Sequence, residues 1–188
     1  MVFRLTLIAH AATEATHAAR FAVPGDELSR AGRGVAQRLA ASGELPRDSA
    51  EELVLRAPEL RAEQTADLLG YGDCRTDEAL ADIDLGAWEG REIVEIPADD
   101  LSAWNADPEF CGHGGETVSA ACARIGAALD ALGGQGRGSA VIIAHPSTLR
   151  AVVIHSLSAP AQGFFRVDAG PGRMLGLHGR GGRWTLRL

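Results

Sequence analysis

The chain has 188 residues, 46% of them apolar, and a formal net charge of -7, which suits one domain with a sizeable buried core. The acidity argues against nucleic acid as a partner, because affinity for a phosphate backbone rests on a basic surface. It leaves room for a small anionic ligand, since a pocket can be locally positive on an acidic protein. Cys74, Cys111 and Cys122 form no CxxC pair and no even-numbered framework, so reduced thiols are expected. The apolar run Leu5 to Ala9 is too short for a signal segment, and no stretch approaches the length of a membrane span. A cytoplasmic protein with no membrane partner is expected.

In chain order, Arg4 to Ala9 is a short, branched, apolar run, the pattern of a strand covered on both faces. Leu28 to Ala41 predicts a helix capped by Ser29, with Val35 and Leu39 four residues apart. Glu52 to Arg56 predicts a strand that stops at Ala57-Pro58. Pro58 then suits the first turn of a helix carrying Leu60, Ala62, Thr65, Ala66 and Leu69. The stretch from Arg91 to Gly115 is less regular and reads as an insertion over one end of the sheet. Thr117 to Leu132 is alanine-rich and ends in Gly133-Gly134, a helix with a stop. Ala140 to Ala144 predicts a second buried strand, Ser147 to Leu157 a helix, and Met174 to Leu188 a hairpin turning around Gly179 to Gly182. Alternating strands and helices imply a mainly parallel sheet in a three-layer α/β/α sandwich, one domain over 1–188.

The two buried strands end Ile8-Ala9-His10 and Ile143-Ala144-His145. Ligands of open α/β sheets bind beyond the carboxyl ends of the strands, so both histidines are candidates for one site. Leu7-Ile8-Ala9-His10-Ala11-Ala12-Thr13 resembles the opening of the histidine phosphatase (phosphoglycerate mutase-like) superfamily, in which Arg-His-Gly follows a strand. Ala57-Pro58-Glu59-Leu60-Arg61-Ala62-Glu63-Gln64-Thr65-Ala66 is similar to its Ser-Pro-Leu-x-Arg-Ala-x-Gln-Thr-Ala block. Leu80 to Gly90 resembles its Leu-x-Glu…Gly-x-Trp-Glu-Gly block. Gly114-Gly115-Glu116-Thr117 is similar to its Gly-Gly-Glu-Ser turn, and Ala144-His145 with Arg150 to its Ser-His-Gly-Gly-x-x-Arg strand end.

The resemblance implies a phosphoglycerate mutase-like fold and a metal-independent phosphomonoesterase with no cofactor, acting on a small phosphorylated metabolite. His10 would be the nucleophile that forms a phosphohistidine. Arg61 would hold the phosphoryl oxygens with its forked donors, His145 would donate a further bond, and Asp82 would be the acid and base. Thr13, Thr16 and Pro146 fall beside the site in the matching blocks, and Glu116 would orient a site histidine. A homodimer is compatible with this reading.

The departures fall in one place. Ala9 replaces the family's first arginine, a loss worth roughly 10²–10³-fold in rate by analogy with deleted oxyanion donors. Ala11 replaces a glycine, Thr16 an asparagine, Asp82 a glutamate and Pro146 a glycine. Arg56, at the end of the strand before Ala57, is expected to bring its guanidinium into the space vacated at Ala9, the alternative being a solvated strand-end arginine. Two further readings stay open. One is a pseudo-phosphatase that binds or regulates; the other is an enzyme reusing the two-histidine pocket for acid–base chemistry on a non-phosphorylated substrate. His17, His113, His155 and His178 read as structural or solvated, Trp88 and Trp104 as packing residues, and the arginines from Arg166 to Arg187 as a solvated face.

Overall fold

In the computed structural model, which describes residues 2–46, 53–134 and 138–187, the described strands form one sheet. They are β1 (Phe3–Ala9), β2 (Leu53–Arg56), β3 (Arg75–Thr76), β4 (Ser139–Ala144), β5 (Met174–Arg180) and β6 (Arg183–Arg187). Across the sheet the order is β3-β2-β4-β1-β5-β6. The first four run parallel, and β5 and β6 close one side as an antiparallel hairpin. The α/β class and the mainly parallel sheet are as the sequence predicts. Glu52, the first residue of the predicted third strand, lies outside the described residues.

Residues 140–144 of β4 are all buried. Successive side chains of a strand point to opposite faces, so that burial means both faces of the sheet are covered. The helices doing so are α2 (Arg30–Ala41), α3 (Leu60–Leu69), α5 (Val118–Gly133) and α6 (Pro146–Ser156), with α2 packed on α3 and α5 on α6. Ser29 and Thr117 cap α2 and α5 through their hydroxyls, satisfying amides that the first helical turn leaves unpaired. Pro58 lies outside α3, which starts at Leu60, whereas Pro146 takes the first position of α6. There its missing N–H costs nothing.

The segment 91–115 is more ordered than its composition suggests. It holds a 3-10 turn at Ile93–Glu95 and the helix α4 (Ala98–Ala106). Phe21, Trp88 and Trp104 meet one another here with ring centroids 5.5–5.8 Å apart. Two elements were not legible: the two-residue strand β3 and the single-turn helix α1 (Glu14–His17). Both are too short to carry a hydrophobic period.

Leu7 is fully buried at the centre of β1. Leu7→Ala is expected to destabilise by about 2–5 kcal/mol in urea unfolding, whereas exposed Arg4→Ala stays within about 0.5 kcal/mol. Equal effects would contradict this placement of the core.

Candidate active site

Backbone pairing brings the two histidines together. β1 and β4 pair in register, with Ala9 opposite Ala144, so the next residue on each strand is a histidine at the same sheet edge. The His10 amide donates to the Ala144 carbonyl at 2.8 Å, and the two rings meet edge to face with centroids 5.2 Å apart. The His10 Nδ1 lies 2.8 Å from the Ala11 carbonyl. A carbonyl can only accept, so Nδ1 carries the proton and Nε2 keeps its lone pair. Burial, His145 and Arg61 together push the His10 imidazolium down to about 3, which keeps the ring neutral near pH 7.

The loop after His10 is tied to both neighbouring helices. Ala11 N–H donates to the Thr65 hydroxyl, and Ala12 C=O accepts from the backbone and hydroxyl of Ser29. A Cβ on Gly32 would lie 2.0 Å from that same carbonyl, so only glycine lets α2 approach the loop so closely.

A second loop delivers Asp82. Its Oδ2 accepts from Arg61 Nη2 at 2.8 Å, and its Oδ1 accepts from the Ser147 hydroxyl at 2.5 Å and from the Ile83 amide at 2.9 Å. His145 Nδ1 stands 3.3 Å from Oδ2. Burial alone would raise this carboxyl, but His145, Arg61 and Ser147 overcome it and hold Asp82 well below the usual carboxylate range. The loop itself is clamped by Arg124. That guanidinium binds both oxygens of Glu116 at 2.6 and 2.9 Å and donates to the carbonyls of Ala79 and Ala81. Behind it, Glu116 N–H donates to Asp84 C=O, and a Cβ on Gly115 would sit 2.2 Å from that oxygen. Hence the Gly-Gly-Glu turn can press directly against the Asp82 loop.

Glu59, the residue before α3, is buried against the second histidine. Its Oε2 lies 2.7 Å from His145 Nε2, and its Oε1 accepts from the Asp82 amide at 2.8 Å. Burial opposes its ionisation, but the His145 contacts and the amide outweigh it and lower its pKa. Above these groups lies a cavity of about 330 Å³. His10, Asp82 and Ser147 form its floor, Thr13, Thr16, Arg20 and Arg150 its polar wall, and Phe21, Trp104, Phe164 and Phe165 its aromatic wall.

Residues 5–188 match the histidine phosphatase superfamily, branch 1. The chain belongs to that superfamily. It is an enzyme of the histidine phosphatase type. Among solved structures it is similar to mycobacterial hydrolase 1, at 25% identity and a TM-score of 0.84, covering 100% of this chain and 98% of that one. It is also similar to mycobacterial glucosyl-3-phosphoglycerate phosphatase, at 26% identity and a TM-score of 0.82, covering 99% and 97%. The α-ribazole phosphatase of Shigella flexneri shares the fold at 24% identity and a TM-score of 0.84, covering 98% and 95%. No curated protein sequence matches the chain.

Within this histidine phosphatase, Thr13, Thr16, Asp82 and Pro146 line the cavity with His10, while Arg61 and His145 lie beneath it, only 2% and 0% exposed. Two expectations are corrected. Arg56 does not fill the space at Ala9: its guanidinium pairs with Glu63 at 2.9 Å and donates to the Ala57 carbonyl, outside the cavity lining. A half-exposed carboxylate one turn into α3 outcompetes a buried apolar wall for that charge. Glu116 does not orient a site histidine; Arg124 takes both of its oxygens.

Three residues went unnoticed in the sequence. Glu59 stands where the family block has leucine and Ser147 where it has glycine, both visible as polar replacements inside matched blocks. Arg124 lies in an alanine-rich helix and carries no such signal. Among the described residues, no group of three or more His, Cys, Asp or Glu is placed to hold a metal, and no helix is long and apolar enough to cross a membrane.

The neutral burial of His10 has a pH signature. Between about 3 and the ordinary 6.5 the unfolded chain binds a proton that the folded chain refuses, so stability falls as pH is lowered through that window. His113, lowered chiefly by burial, acts in the same sense. From pH 6.5 to 4.5, His10→Gln is expected to remove roughly 1.4 kcal/mol per pH unit from the slope of the unfolding free energy. Parallel slopes for the variant and the wild type would contradict the burial of a neutral His10.

Proposed function

We propose that the protein is a metal-independent phosphomonoesterase that hydrolyses a small phosphorylated metabolite through a phosphohistidine on His10. The observation that carries this reading is the convergence of three donors on one anion. Arg61 Nη2, the Ser147 hydroxyl and the Ile83 amide all bind the Asp82 carboxylate, with His145 Nδ1 beside it. Such a nest of donors is what a transferring phosphoryl group requires, and it opens beside the free nitrogen of His10. Arg61 Nε is buried without a hydrogen-bond partner, so the nest holds donor capacity beyond what Asp82 uses. The N-terminus of α6 adds a partial positive charge on the same side.

In this scheme the phosphoryl group takes over Arg61 and Ser147, and the Asp82 carboxylate turns off them toward the leaving oxygen. A dianion arriving beside it raises its proton affinity, so the group held ionised by Arg61 becomes a competent acid. His10 Nε2 attacks phosphorus, the P–O bond to the leaving group breaks, and Asp82 gives that oxygen its proton. In the second step Asp82 takes a proton from water, the resulting hydroxide attacks the phosphohistidine, and phosphate departs with the His10 lone pair restored. The rest of the substrate rests against Phe21, Trp104, Phe164 and Phe165. The substrate named for the similar mycobacterial phosphatase, glucosyl-3-phosphoglycerate, supports a phosphorylated small molecule as the class.

The test is hydrolysis of an aryl phosphate and an alkyl phosphate with chelator present. His10→Ala is expected to lose at least about 10³-fold with both. Asp82→Asn should lose roughly 10²–10⁴-fold with the alkyl ester and much less with the aryl ester, whose leaving oxygen needs little protonation. Turnover that survives in His10→Ala, or that appears only with added metal, would overturn the reading.

A further inference from the structure

Glu59 is the residue at this site that neither the phosphohistidine step nor the proton transfers use. It is only 8% exposed, and both its oxygens are committed, one to His145 Nε2 and the other to the Asp82 amide. A leucine, as in the family block, can do neither. The consequence for His145 is specific. Its Nε2 points at Glu59, so only Nδ1 faces the Asp82 carboxylate, 3.3 Å away. The consequence for the local charge is equally definite. Compared with the family blocks, the site has exchanged an arginine for Ala9 and a leucine for Glu59, a change of two units toward negative beside the same donors.

We propose that Glu59 is a positioning and specificity-determining residue: it takes the His145 Nε2 for itself and leaves only Nδ1 toward the phosphoryl position, fixes the Asp82 backbone, and weakens the site's hold on a dianion. The inference rests on the phosphoryl site proposed above. Its functional content is a shift in where the substrate is recognised. With the grip on phosphate weakened, discrimination passes to the part of the ester that lies against Phe21, Trp104, Phe164 and Phe165, and free phosphate binds poorly as a product. A phosphate ester with a large planar or apolar alcohol is the substrate class that fits such a division of labour.

The experiment compares orthovanadate affinity, followed by tryptophan fluorescence, and aryl phosphate kinetics for the wild type, Glu59→Leu and Glu59→Gln. Removing a negative charge this close to a bound dianion is expected to tighten vanadate binding about tenfold or more in Glu59→Leu, with a smaller gain in the isosteric Glu59→Gln. KM for the aryl phosphate should fall in both, with kcat changed less. A merely structural glutamate would give the opposite sign, since a loosened site binds anions more weakly. If both variants melt like the wild type and bind vanadate no tighter, the inference is overturned. If both bind vanadate more tightly but hydrolyse no phosphate ester, the role of Glu59 stands and the phosphatase reading falls.

Discussion

In-register pairing of β1 with β4 places Ala9 opposite Ala144, and the chemistry of the site depends on that alignment. Because side chains alternate along a strand, a slip by one residue would send one of the two histidines to the other face of the sheet. The register is protected by burial on both faces, where Leu7, Ile8, Val141 and Ile143 have no exposed surface. A hydrophobic constraint on the middle of the strands thus sets a polar geometry at their ends. The loops carry the rest of the site to this fixed edge, held by contacts that need glycine at 32 and 115.

Polar and charged groups buried under that edge stabilise one another rather than standing alone. Arg61, Asp82, Glu59 and His145 form a continuous chain of contacts of 2.7–3.3 Å. Removing one member would strand the others in a poorly solvated setting, so each is worth more to the network than as a pair. The same arrangement explains why Asp82 stays ionised. Arg124 and Glu116 set the backbone from which Asp82 reaches the donors, and so act on the chemistry without touching the cavity.

The sequence carried the architecture well and the electrostatics less so. The runs Arg4 to Ala9 and Ala140 to Ala144 are dense in apolar branched residues because both faces are covered, and that burial leaves a signal in any single chain. The two histidines were legible because each ends such a run. Arg56 misled because a strand end fixes where a side chain begins, not where a long flexible one ends; Glu63, one turn into α3, decided that. Glu59 and Ser147 stood in plain sight as replacements inside matched blocks, yet their meaning depends on a contact across 86 residues with His145 and one across 65 residues with Asp82. Local pattern has no access to contacts of that separation. The aromatic wall was equally hidden, since Phe21, Trp104 and Phe165 come from three distant segments and meet only through folding.

In the proposed mechanism the Asp82 carboxylate occupies the place of the transferring phosphoryl group and yields it to a competing anion. A crystal structure with orthovanadate bound tests this most directly. Vanadium is expected in bonding contact with His10 Nε2, its oxygens on Arg61 and Ser147, and Asp82 turned away from Arg61 toward the apical oxygen. Vanadate bound elsewhere, with the Arg61–Asp82 pair intact, would contradict it.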